Sequence, residues 1–120
     1  MRRPLAALAV ILSTLTFVSA CGSDEAPSSD STDPKVIQIT IDGDSVTPNG
    51  DRVDVAVGQD IELDVTADAP GEIHVHSSPE QEFEYKAGDS TFTIKGIDQP
   101  GIVVVESHTL EKTIVQLEVK

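Results

Sequence analysis

Sulfur and aromatic rings are scarce in this chain of 120 residues, which has one Cys, one Met, one Tyr and no Trp. A single Cys closes no disulfide within the chain, so packing and hydrogen bonds must hold the fold. Basic residues are the second shortage, 8 against 21 acidic ones, for a formal net charge of −13. A surface of that sign repels phosphate backbones and anionic lipid headgroups. It excludes nucleic-acid binding and membrane attachment through a basic patch, and it attracts cations. Glycine-rich phosphate loops, a nucleophile elbow and a dinucleotide fingerprint are missing. No carboxylate pair is marked out as general acid and base, so an enzyme is the less favoured class.

What is present divides the chain in three. Arg2 and Arg3, an apolar run from Leu5 to Val18, and the small residues Ser19 and Ala20 predict a secretory signal over residues 1–20. The run is too short for a membrane span. Cleavage removes Arg2 and Arg3 and takes the net charge from −13 to −15. Val18-Ser19-Ala20-Cys21 resembles the lipobox of bacterial lipoproteins. That resemblance implies a diacylglycerol carrying palmitate-like chains on the Cys21 sulfur and anchorage to the extracytoplasmic side of the cell membrane. Each buried CH₂ would add ~0.8 kcal/mol. With that sulfur blocked, no thiolate nucleophile or Cys metal ligand remains. Residues 21–35 read as the lipidated Cys and a flexible acidic linker rich in Ser, Asp and Pro, with an r.m.s. reach of ~20 Å.

From residue 36 to 120 the pattern changes to alternation with period two. Ile37, Ile39 and Ile41 point one way; Val53, Val55 and Val57, then Ile61, Leu63 and Val65, repeat the pattern. These segments predict half-buried antiparallel strands. Further strands are expected at residues 72–76, 81–86, 91–95, 102–107 and 113–119. Turn signals separate them at Asp42-Gly43-Asp44, Pro48-Asn49-Gly50, Ala69-Pro70-Gly71 and Pro100-Gly101, the spacing of a sandwich or small barrel. Ile102-Val103-Val104-Val105 is apolar on both faces, which predicts a central strand covered from both sides.

Val57-Gly58-Gln59, Ile73-His74-Val75-His76-Ser77, Phe83-Glu84-Tyr85, and Pro100-Gly101 leading through Ser107-His108 into Val115-Gln116-Leu117-Glu118-Val119 carry a further resemblance. Residues 36–120 resemble the cupredoxin-like domains of secreted and lipid-anchored bacterial proteins. The resemblance implies an all-β Greek-key β-sandwich of about seven or eight strands. Blue-copper members bind copper through two His and a Cys thiolate, usually with an axial Met. The thiolate would fall at or near Ser107 and the thioether near Lys112 or Thr113. Neither exists, so the inventory excludes a type 1 electron-transfer site.

On a strand, Glu72, His74 and His76 share a face with neighbours ~6.5–7 Å apart. Two imidazoles so spaced can converge on one ion. The resemblance would bring His108 near them, and three imidazoles with Glu72 or Glu106 form a site suited to copper or zinc. The competing reading is a solvated strand face, since period two asks only for polarity at those places. His74, His76 and Glu80 also approximate the first motif of the cupins, a minor alternative of metal-enzyme type. The sequence thus predicts an exported, lipid-anchored domain that binds a metal ion, copper foremost, through His74, His76 and His108 for sequestration or delivery. The alternative is a metal-free interaction module for other envelope proteins.

Overall fold

Strands that alternate apolar and polar side chains bury one face each, and two such sheets cover each other's apolar faces. The structure, a computed structural model describing residues 33–120, meets that requirement with nine strands and no helix among the described residues. The signal over residues 1–20, Cys21 and the linker as far as residue 32 lie outside the described residues. In chain order the strands are β1 (Lys35–Asp42), β2 (Ser45–Thr47), β3 (Asp51–Val55), β4 (Ile61–Ala67), β5 (Gly71–Val75), β6 (Gln81–Tyr85), β7 (Gly88–Ile94), β8 (Gly101–Ser107) and β9 (Lys112–Val119). They form a four-stranded sheet in the order β2-β1-β4-β7 and a five-stranded sheet in the order β3-β9-β8-β5-β6. The ninth strand, beyond the expected seven or eight, is the short β2. It pairs with β1 across the two-residue turn Gly43-Asp44, where Gly43 takes a φ of +57° that suits glycine.

Alternation identifies the buried face but not the direction of the neighbour. The expected all-antiparallel pairing fails in two places: β1 runs parallel to β4, and β3 runs parallel to β9. After the β1–β2 hairpin the chain crosses to the other sheet as β3. It returns as β4 travelling in the direction of β1. Ile39, Ile61 and Leu63 of one sheet and Ile73, Val105 and Leu117 of the other are at most 1% exposed and form the shared core. Each such side chain contributes about 1.5–3 kcal/mol of transfer free energy. Phe83 and Phe92 stack at 5.2 Å between ring centroids, partly buried beside that core.

Two expectations about side-chain placement are corrected. Val57 lies beyond the end of β3 and is 45% exposed, because the chain has already turned into the Gly58 loop. β8 is central in its sheet, as expected, yet Ile102 is 47% exposed, because the outer face of that sheet meets solvent and no second layer covers it. At the other end of β8 the register shifts between Val105 and Glu106, so Ile114 of β9 is an extra residue; Ile114 and Val115 are both buried. The bulge lies in β9 and leaves β8 regular up to its exit at Ser107.

Candidate metal centre

β5 starts at Gly71 because nothing larger fits there. A Cβ at that position would collide with the ring of Tyr85, the residue opposite it on β6. Tyr85 is 3% exposed, so the start of β5 is clamped over a buried aromatic ring. From that start, parity sends Ile73 and Val75 into the core and Glu72 and His74 to the outer face. His76, just past the end of β5, continues the same outward series, and its backbone N–H donates to the Val104 carbonyl at 2.9 Å.

The exit of β8 is tied to the same strand. The His108 N–H donates to the Glu72 carbonyl at 3.0 Å, and the Glu72 N–H donates to Thr109 Oγ1, also at 3.0 Å. Because β8 alternates regularly, Ser107 turns inward and is fully buried while Glu106 and His108 turn outward. With these two ties, one from the backbone of His108 and one to the side-chain hydroxyl of Thr109, the His108 ring stacks on His74, with centroids 4.5 Å apart and planes 12° apart.

Glu72, His74 and His108 therefore form one cluster, with one ligand atom from each within 4.8 Å of the others. His74 Nε2 lies 2.5 Å from Glu72 Oε1 and 3.3 Å from Glu82 Oε1, and the side chain is 17% exposed. His76 is not part of that cluster. Its ring centroid is 6.2 Å from that of His74, and its two nitrogens face other carboxylates: Nδ1 lies 3.0 Å from Glu80 and Nε2 lies 2.8 Å from Glu106. The hydrogen bond to Glu106 is the main cause that lifts the His76 pKa above its ordinary value of 6.5. The attraction of the Glu106 and Glu80 charges adds to it, and partial desolvation opposes it. The cupin arrangement of His74, His76 and Glu80 does not form, since Glu80 sits on His76 while His74 turns to Glu72 and His108.

Glu82 is the neighbour of the cluster that the sequence did not single out. The β5–β6 hairpin puts it directly opposite His74. The signal was there in the symmetry of the two strands about Ser78, which fixes the pairing once the hairpin is accepted. Larger surface depressions, such as that between Lys35, Val36, Asp54 and Lys120, lie on the β1–β3 side and contain no imidazole. A further depression, lined by Gly71, Glu72, Glu84, Tyr85 and Thr109, adjoins the cluster through Glu72, but an ion needs converging donors and not a cavity.

No protein-family model and no curated protein matches the chain. Solved structures do. A Cu(I) amicyanin variant superposes with a TM-score of 0.53 at 11% identity, covering 71% of this chain and 82% of that one. Dithionite-reduced auracyanin from Roseiflexus castenholzii gives 0.51 at 13% identity, covering 73% of this chain and 98% of that one. The fold is cupredoxin-like. A multicopper oxidase from Pediococcus acidilactici gives 0.54 at 16% identity over 95% of this chain, which spans only 30% of that enzyme.

The blue-copper donor set does not fit the residues of this cupredoxin-like fold. Ser107 stands where the thiolate would be expected, and its Oγ is buried on the inner face, accepting from the Leu110 N–H at 3.3 Å. Lys112 and Thr113, where the thioether would be expected, open β9. A nitrogen and oxygen donor set does fit, in Glu72, His74 and His108.

Proposed function

We propose that this domain binds a divalent transition-metal ion, copper foremost and zinc as the second choice, through Glu72, His74 and His108, and sequesters or delivers it. The observation that carries the reading is the convergence of those three donors, within 4.8 Å of one another, on the outer face of the five-stranded sheet. Two imidazoles and a carboxylate are borderline donors matched to Cu(II) and Zn²⁺. His76 and Glu106 flank the cluster and pair with each other at 2.8 Å. The acidic surface raises the local concentration of cations, an effect that added salt weakens. Support for copper comes also from the fold shared with amicyanin and auracyanin. Without thiolate or thioether, the role we assign is carriage of the ion and not type 1 electron transfer. Lipidation of Cys21 would hold the domain at the extracytoplasmic face of a membrane, on a tether long enough to meet partners in the envelope.

One observation favours a second reading, a metal-free interaction module. Each of His74 and His76 already has two carboxylates facing it, so the face is satisfied without an ion. Calorimetric titration separates the two readings. Among the described residues, 33–120, nine strands close two sheets over one continuous core, so that segment carries its own sandwich. It should take up one equivalent of Cu(II), and the double variant His74→Ala/His108→Ala should take up none. Absence of saturable binding by the parent would leave the interaction module.

A further inference from the structure

Given the metal reading above, on which this rests, we propose that the centre selects the oxidised ion, Cu(II) over Cu(I), and that one-electron reduction empties it. Three features of the outer face of the five-stranded sheet converge on this. The first is donor chemistry. Residues 33–120 contain no sulfur atom at all, since the chain's Met and Cys are Met1 and Cys21. Cu(I) is a soft ion held by thiolate and thioether, whereas imidazole with carboxylate suits Cu(II).

The second is ring geometry. His74 and His108 are stacked 4.5 Å apart and nearly parallel, so their nitrogens are presented side by side. Tetragonal Cu(II) accepts neighbouring donors of that kind with carboxylate oxygen beside them. Two-coordinate Cu(I) instead requires its nitrogens opposed across the ion. The His108 N–H to Glu72 carbonyl bond and the Glu72 N–H to Thr109 Oγ1 bond fix the two strands beneath the stack and resist such opening.

The third is the field. Glu82 faces His74 from β6, Glu106 lies opposite His74 on β8, and Glu84 lies opposite Glu72 on β6. Lys86, beyond Glu84, makes no ion pair with any of them among the described residues, and outside the cluster the imidazole that meets them is His76, on Glu106 at 2.8 Å. A negative potential stabilises a dipositive ion twice as strongly as a monopositive one, so each carboxylate adds to the preference for Cu(II).

Reduction then acts as the release step. An external one-electron donor, such as a thiol that ends as half of a disulfide, places one electron on the copper. The Cu–N and Cu–O bonds break, Cu(I) leaves, and a proton from solvent takes the ion's place between His74 and Glu72. No protein residue changes oxidation state.

The test uses residues 33–120 with copper alone. Competition titrations would give the Cu(II) and, without oxygen, the Cu(I) dissociation constants for the parent and for Glu82→Gln/Glu106→Gln. The parent should hold Cu(II) at least about 100-fold more tightly than Cu(I). The variant should lose about 10-fold toward Cu(II) and less toward Cu(I). Ascorbate added to the Cu(II) form should move the metal to a chromophoric Cu(I) chelator, while the same protein loaded with Zn²⁺ should keep its metal. Cu(I) binding as tight as Cu(II), or retention of copper after reduction, would overturn the selectivity and leave the metal site standing. Absence of Cu(II) binding would overturn both.

Discussion

The two outer faces of the sandwich arise from the same pattern and do different chemistry. On the four-stranded sheet the outward residues are carboxylates among hydroxyls and amides. Gln38 Nε2 and Thr91 Oγ1 donate to the two oxygens of Asp64 at 2.8 and 3.1 Å, and Thr66 Oγ1 donates to Asp89 at 2.8 Å. Those donors keep their protons, so each carboxylate is satisfied permanently and offers a cation little. On the five-stranded sheet Asp54 and Glu118 of β3 and β9 meet Lys120 and Arg52, but along β5, β6 and β8 the partners of the carboxylates are imidazoles, which give up a proton near neutrality and then present a lone pair. Period two demands only polarity at each place. The kind of donor that fills the place decides whether the face is inert or can bind an ion.

The comparison assumes that the inner faces are equivalent, which the largest expected effect checks. Ile73 beneath the His face and Leu63 beneath the Thr face are both fully buried, and replacement of either by Ala should cost about 2–5 kcal/mol in urea unfolding. A much smaller loss at Ile73 would mean that the centre sits on a soft sheet. The next effect separates the outer faces directly. His74→Ala and His108→Ala should each weaken Cu(II) binding more than about 100-fold in calorimetry, beyond the usual cost of losing an orienting neighbour. Asp64→Asn on the other face should leave it unchanged. Equal losses from both faces would reduce copper binding to diffuse surface charge.

Gly71→Ala should destabilise the fold by about 1–3 kcal/mol, since the added methyl meets the Tyr85 ring, and it should loosen the His108 stack along with it. Unfolding curves and the ring shifts of His108 would report the two effects together.

His76 sharpens the comparison by pH. Its folded pKa is raised, chiefly by Glu106, so its contribution to stability is complete below the unfolded His pKa and fades as pH rises through the folded value. Glu106→Gln should therefore destabilise the metal-free protein more at about pH 5 than at about pH 8. A proton NMR titration should show the His76 midpoint falling toward 6.5 in that variant. Asp64→Asn, whose partners do not titrate, should show no such pH difference. The smallest effect concerns the loop that delivers His108. Glu111 holds a φ of +53°, which L residues rarely adopt, and Glu111→Gly should stabilise by about 0.5–1 kcal/mol.

Much of the architecture was legible in the residues themselves. The Ile37-Ile39-Ile41 and Ile61-Leu63-Val65 series each lie on the core side, and the Gly43 turn closes the hairpin as its composition predicts. Less legible was the length of each strand. Val57 continues the alternation of β3 in sequence, but the chain has already left the sheet there. For the centre, the common face of Glu72 and His74 followed from parity alone, while the partition of the imidazoles did not. His76 is two residues from His74 in the same outward series, yet it is drawn to Glu80 and Glu106, which come from the following loop and from β8.

By itself the sequence determined which side chains face inward, where the chain turns, and which ligand atoms exist, including the lack of any sulfur in residues 33–120. Those properties are local: they depend on a residue's neighbours in the chain and on its own chemistry. Only the tertiary structure decided that β1 and β4 run parallel, that Glu82 and Glu106 lie opposite His74, and that His108 folds back to stack on it. An alternating strand is compatible with any neighbour in either direction. Pairing is chosen by how two apolar faces close over one core, and distant carboxylates and imidazoles meet as a consequence of that choice.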